Sequence, residues 1–329
     1  MRISRPMRSL RQLSCVVLMS VSTLSIARAE TFPSGVIRIV VPTAASTPPD
    51  IISRVIAGEL SETEGWRVIV ENRPGGAMTI AGTDVLSQPA NGTSIYAMSV
   101  PVTAAQSILP SMPFRLDSDF APVIKVSISY NVLVVTPSLP AKSVSELVAL
   151  LKNQPDKFTF SSGGFGTPAH LVGELFKSKT GVRATHVPYQ QFPQAIGDLL
   201  NGTNQFMFIT MLPVVDLIKS GKLRALAVTA PRRVPVLGDV PTVVEAGFPE
   251  LVIEDWVGFA VKAGTPNETI GRLNEAINKV LARPKVREAL ANLGADPVGG
   301  TPAEYGEFTK SQVAYWAKVV KEAELKIQP

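Results

Sequence analysis

Few side chains in this chain could do covalent or metal chemistry. It has two histidines, His170 and His186, and one cysteine, Cys15. His170 and Glu174 are four apart, so a helix would put them on one face as half of a metal site. No third ligand accompanies them, and a packed or hydrogen-bonded histidine is the simpler reading. There is no G-x-S-x-G elbow, and the spacing of Asp50 and Asp198 does not recommend an acid–base pair. Gly163-Gly164-Phe165-Gly166 lacks the third glycine of a dinucleotide loop and comes late in the chain. The expectation is a protein with no catalytic residue, no metal and no cofactor.

Two loops offer a different chemistry, that of holding an anion. One is Pro42-Thr43-Ala44-Ala45-Ser46-Thr47, leading into Pro48-Pro49-Asp50; the other is Ser161–Gly166, leading into Thr167-Pro168. Each joins a strand end to a helix start. A helix start presents unpaired amides and partial positive charge, so it can hold a carboxylate without Lys or Arg. Small residues let the backbone approach closely. Thr47 stands at N-cap and Asp50 where a capping-box acid belongs. Either loop alone reads as an ordinary capped connection; one from each of two lobes would make a clamp.

The elements that must carry these loops are legible from their periodicity. β-branched runs at Val36–Val41, Trp66–Val70 and Ile95–Met98 alternate with helical patterns, as in a largely parallel sheet covered by helices. The helix from Pro48 places Ile51, Ile52, Val55, Ile56 and Leu60 on one face. A second unit begins at Asn131–Val135, with a helix capped by Ser143 and Glu146. Phe158–Ser161, Thr185–Val187, Gln205–Ile209 and Leu223–Thr229 are its further strands. Thr265-Pro266-Asn267-Glu268 and Thr301-Pro302-Ala303-Glu304 each start a helix with threonine at N-cap. The last helix runs towards Leu325, with Phe308, Val313, Trp316 and Val320 facing the core. Residues 30–129 with 251–329 are expected to form one lobe and 130–250 an inserted one, in an α/β fold.

The N-terminus predicts export. Arg2, Arg5, Arg8 and Arg11 precede an apolar stretch from Leu13 to Ile26, and Ala27-Arg28-Ala29 predicts cleavage before Glu30. Removing residues 1–29 takes five arginines and leaves 27 basic against 27 acidic groups. The basic balance is therefore a targeting effect, and neither nucleic acid nor an anionic membrane surface is an expected partner. Cys15 leaves with the signal, which suits an oxidising compartment such as the periplasm. No later apolar run predicts stable membrane insertion.

Several motifs carry a resemblance to a known family. Ile37-Arg38-Ile39-Val40-Val41-Pro42 with Asp50, Val70-Glu71-Asn72-Arg73-Pro74-Gly75 and Asp119-Phe120-Ala121-Pro122-Val123 resemble the Bug/TctC extracytoplasmic receptors of tripartite tricarboxylate transporters. His186-Val187-Pro188-Tyr189, Ser220–Val228, Asp239-Val240-Pro241-Thr242-Val243 and Gly299-Gly300-Thr301-Pro302 extend it across nearly the whole mature chain. The resemblance implies a type II periplasmic-binding-protein fold, two α/β lobes closing on a ligand cleft like a Venus flytrap. It implies a small organic-acid ligand held by backbone amides and bridging waters, membrane transporter subunits as partners, and a monomer.

By position, the resemblance assigns Thr43, Ala45, Ser46, Thr47 and Asp50 in the first loop to ligand binding. In the second it assigns Ser162, Gly163, Gly164, Gly166, Thr167 and His170, with Thr79, Ser99 and Thr210 lining the cleft. The family's first loop usually has two glycines where Ser46 and Thr47 stand here. An asparagine is common at Thr79 and an aspartate at Thr210, so this chain lacks an acceptor for a ligand ammonium. Phe165 would add an aromatic wall. Two other readings share these features: a receptor signalling to a membrane kinase, and a periplasmic enzyme acting on a small acid.

Overall fold

Alternating β-branched runs and amphipathic helices produce the alternation of elements found in the computed structural model. It describes residue 1 and residues 32–322, except 110, 165, 190, 191 and 212. The expected export signal at 1–29, the Phe165 wall and Leu325 lie outside the described residues.

The chain begins β1 (Ile37–Val41), α1 (Pro48–Glu64), β2 (Val68–Asn72), α2 (Thr79–Ser87), β3 (Ser94–Ser99) and α3 (Val100–Ile108). It continues through β4 (Phe120–Val135), α4 (Val144–Asn153), β5 (Thr159–Ser162), α5 (Pro168–Thr180) and β6 (Thr185–Pro188). Then follow α6 (Phe192–Asn201), β7 (Phe206–Thr210), α7 (Val215–Lys219) and β8 (Arg224–Val228). The last elements are β9 (Glu254–Lys262), α8 (Asn267–Ala282), α9 (Pro284–Asn292), β10 (Ala295–Gly299) and α10 (Pro302–Glu322).

Two sheets share β4. In the first the order is β2-β1-β3-β9-β4, with β10 also on β4; in the second it is β4-β7-β5-β6, with β8 on β4. β1 runs parallel to β2 and β3, and β5 parallel to β6 and β7. β9 is antiparallel to both β3 and β4.

Burial follows the two-residue alternation of the strands. Ile37, Ile39 and Val41 pack with Ile52, Ile56 and Leu60 of α1 and with α8. Val40, Tyr96 and Met98 point the other way, into a core that runs on through Tyr305 and Trp316 of α10 to Leu133, Phe160 and Phe206 of the second sheet. Each such aliphatic side chain contributes about 1.5–3 kcal/mol when fully buried. A further core lies under Val132, Val134, Met207 and Ile209. Among the described residues, no helix is long and apolar enough to cross a membrane.

The structure departs from the sequence reading in several places: the sheets are mixed rather than largely parallel, because β4 is antiparallel to β7, β8, β9 and β10 and β9 is antiparallel to β3. Asn131–Val135 does not begin a strand but ends the sixteen-residue β4. Pro122 and the polar Ser127 and Ser129 conceal its first half, and the register slips beside Pro122, where proline is tolerated at a bulge. The sequence reading also omitted β9, which Gly258 interrupts. The Tyr305 ring packs there so closely that an added Cβ would lie 2.3 Å from it. Finally, Thr265 bonds back to the Lys262 carbonyl, and Pro266 takes the N-cap position of α8. Thr301 and Glu304, by contrast, form the expected reciprocal capping box.

Candidate functional site

The strand register sets the carboxyl edges of the two sheets against one another. In the first sheet, Ser99 at the end of β3 pairs with Val257 of β9, which pairs with Ser127 of β4. Because β9 is antiparallel to both neighbours, β4 runs the same way as β3 and leaves this sheet by its carboxyl edge. It enters the second sheet at Asn131, opposite Thr210, the last residue of β7. Since β4 is antiparallel to β7, it enters there by the carboxyl edge too. The two edges are thus separated along β4 only by the four-residue step from Ser127 to Asn131, about 13 Å of extended chain.

The predicted residues fall on these edges. Thr43–Thr47 follows β1, Thr79 follows β2, and Ser99 ends β3; Ser162–Thr167 follows β5 and Thr210 ends β7. Carboxyl ends of strands are where open α/β sheets take ligands. Ala44, Ala45 and Ser46 are exposed and Thr43 and Thr47 half-buried. Ser99 is buried, and its hydroxyl has no hydrogen-bond partner among the described residues. Thr79 donates to the Gly76 carbonyl at 2.6 Å.

In the first loop, the threonine expected to cap α1 does not. Thr47 Oγ1 donates to the Ala44 carbonyl at 2.8 Å and lies 2.6 Å from Thr43 Oγ1, which must then be the donor to it. Pro48 and Pro49 have no N–H, so Asp50 supplies the remaining first-turn amide of α1. The Asp50 carboxylate is buried and turned into the loop. It accepts from the Ser46 amide at 2.9 Å, from Asn72 Nδ2 at 2.9 Å and from Arg54 at 3.1 Å. Burial alone would raise its pKa; the bonds from Arg54, Ser46 and Asn72 outweigh burial and hold it below the ordinary value. Asn72 also donates to the Thr43 carbonyl at 3.0 Å. Ser46 sits in the left-handed region at φ 66°, a conformation that favours glycine.

The second loop repeats this frame with other side chains. Thr167 stands at N-cap of α5 without capping it, and its hydroxyl donates to the Gly164 carbonyl at 2.7 Å. Gly166 has φ 77° where the first loop has Ser46, and its amide donates to His170 Nδ1 at 3.1 Å, four residues on. Ser162 Oγ accepts from the Gly164 amide at 3.1 Å and meets His186 Nε2 at 2.7 Å. His186 stacks on Phe160, with 4.8 Å between ring centroids, and packs at a tilt against His170 at 4.4 Å. Burial, helped by the Lys177 charge, pushes His170 down to about 4. Burial, then His170 and Lys177, push His186 down to about 3. Both imidazoles are neutral at pH 7.

Asn72, Arg54 and His186 are the functional side chains that the sequence reading of the site missed. Asn72 and His186 each sit on the strand beside the one that launches the loop. Their motifs, Val70–Gly75 and His186–Tyr189, were visible, but the contacts were not. Among the described residues no three His, Cys, Asp or Glu gather as metal ligands; Glu174 instead pairs with Lys177 at 2.9 Å. A cavity of about 790 Å³ lies elsewhere, beside α10, and none of the predicted residues lines it.

Residues 52–325 match the model of the tripartite tricarboxylate transporter family receptor, TctC. The chain belongs to this receptor family. Protein BugT of Bordetella pertussis is 34% identical over 326 residues, 97% of this chain and all of BugT. Rpa4515 of R. palustris, solved with adipate, has a TM-score of 0.82 at 31% identity, covering 90% of this chain and 99% of that one. MatC of Rhodopseudomonas palustris, solved with bound malate, has a TM-score of 0.80 at 28% identity, covering 88% of this chain and all of MatC. The TctC receptor fold is thus the periplasmic-binding-protein fold that the resemblance implied. TctC proteins are extracytoplasmic solute-binding receptors, and this chain is one of them.

Proposed function

We propose that this receptor captures a small carboxylate between the carboxyl edges of its two sheets and delivers it to the membrane subunits of a tripartite transporter. The observation that carries this reading is the approach of the two edges along Ser127–Asn131, with a helix-start loop on each. In this reading residues 30–129 with 251–329 form one lobe, 130–250 the other, and the chain acts as an exported monomer cleaved before Glu30. Adipate and malate in the related structures supply the ligand class.

The organised loops narrow which groups meet the ligand. Asp50 and His170 are committed to their own loops, as are the amides of Ser46, Gly164 and Gly166. In this reading the amides that face a carboxylate are those of Ala44, Ala45, Thr47 and Asp50 on one side and of Gly163 and Ala169 on the other, with Ser99 and Thr210 as hydroxyl donors; Thr43 and Thr79 have given their protons to Thr47 and to the Gly76 carbonyl. Thr210, in place of an acid, favours ligands without an ammonium group. A ligand touching both edges stabilises the closed state by its differential contacts. Several charge-assisted bonds of about 1.5–3 kcal/mol each suffice for micromolar affinity.

Calorimetric titration of the purified mature protein with adipate, malate and a series of mono- and dicarboxylates tests this. Micromolar binding of at least one acid is expected, weakened tenfold or more by Thr210→Asp. No heat from any carboxylate, or turnover of one, would overturn the reading.

A further inference from the structure

We propose that His186 is a positioning residue for the binding site: through Ser162 it fixes the second loop as Asn72 fixes the first, and so decides which backbone amides face the cleft. The inference rests on the proposed binding role of that loop.

His186 lies on β6, the parallel neighbour of β5, in register with Phe160 and two residues short of the level of Ser162. From there its Nε2 reaches the Ser162 hydroxyl at 2.7 Å, and either imidazole tautomer completes that bond. Phe160, stacked on the ring, and His170, tilted against it, pack the imidazole in place. Ser162 Oγ in turn takes the Gly164 amide, while Thr167 takes the Gly164 carbonyl, so both polar groups of Gly164 are fixed. Gly164 has φ 111°, a conformation in which a glycine peptide turns freely unless it is held. Its amide therefore points back into the loop rather than at a ligand.

The first loop has the same architecture. Asn72, at the end of β2, holds the Thr43 carbonyl and the Asp50 carboxylate across the β1–β2 pair. What differs is charge. The carboxylate of Asp50 is matched by Arg54, whereas the second loop is held by two neutral rings. A neutral support suits a loop that must offer amides to an anion without a competing charge beside it.

Amide hydrogen exchange by NMR on the ligand-free, full-length mature chain tests the positioning directly. His186→Phe keeps a stacking ring but removes the bond to Ser162; His186→Gln restores a polar group that can reach it. Exchange at Gly164 and Gly166 should rise roughly tenfold or more in His186→Phe and in Ser162→Ala, with no further rise in the double variant. His186→Gln should return it to near the wild-type rate. Unchanged exchange at Gly164 in His186→Phe would overturn the proposal. Equal loosening throughout β5 and β6 in both His186 variants would do the same, since that is packing alone. A calorimetric arm with adipate and malate keeps the two readings apart. If the wild type binds no acid of the carboxylate series, the carboxylate assignment fails while exchange still decides the role of His186; if it binds one, His186→Phe should weaken it tenfold or more.

Discussion

The two helix-start loops are built on one frame and stabilised by opposite means. In each, a threonine at N-cap gives its hydroxyl to a carbonyl three residues back, a proline opens the helix, and the third helical residue accepts an amide four residues earlier. The residue supplying that amide has positive φ in both, Ser46 at 66° and Gly166 at 77°. The acceptor is a buried carboxylate bonded to Arg54 and Asn72 in one loop and an imidazole packed at a tilt against a second imidazole in the other. Equivalent backbone shapes can thus be held by charge or by neutral packing, and the choice sets how each edge responds to mutation and to acid.

The largest effect should come from removing the charged acceptor. Asp50→Ala leaves the Arg54 guanidinium, Asn72 Nδ2 and the Ser46 amide without their partner. Urea unfolding should show a loss of about 3 kcal/mol, well beyond that of His170→Ala. Equal losses would mean that charge does not distinguish the loops.

Acid should separate them next. Both histidines have pKa values below the ordinary 6.5, at about 4 and about 3. Between pH 6.5 and 4 the unfolded chain binds protons that the folded one does not, so stability falls as pH falls through that window. A decrease of about 3 kcal/mol from pH 6.5 to 5 is expected, and it should shrink by about half in His170→Asn. Asp50, whose pKa is depressed, acts at lower pH: its contribution is present above the ordinary carboxylate range and is lost only as acid reaches its folded value. A stability curve flat from pH 7 to 5 would break this distinction.

Smaller changes sharpen the shared frame. Thr47→Val and Thr167→Val each remove one hydroxyl–carbonyl bond and should cost about 1 kcal/mol apiece by chemical denaturation, with no helix-capping loss. The smallest effect belongs to Ser46→Gly. Relief of the left-handed backbone and the added freedom of the unfolded chain nearly cancel, leaving less than about 0.5 kcal/mol in either direction.

Much of this was legible in the sequence, and what was hidden has physical reasons. The strand-loop-helix units at β1–α1 and β5–α5 announce themselves by β-branched runs, small residues and Thr-Pro starts. The threonines misled because a hydroxyl at N-cap can bond backwards as well as forwards, and only the loop's geometry chooses. Asn72 and His186 carry no local signal for their roles, since each acts on a loop more than twenty residues away in the chain. Their importance comes from parallel pairing, which periodicity does not reveal. β4 and β9 were obscured because Ser127, Ser129 and Gly258 break the simple apolar rhythm of their strands.

That crossing has a mechanical consequence. Where β4 passes from one sheet to the other, Thr229 clasps two stretches of backbone at once. Its hydroxyl accepts from the Asn131 amide and donates to the Ile253 carbonyl, while its own amide reaches the Asn131 carbonyl. The outgoing and returning chains are thereby riveted at one buried point, as two pages are sewn along a spine. In the proposed two-lobe reading, this seam is where rotation would bring the two sheets together on a bound molecule.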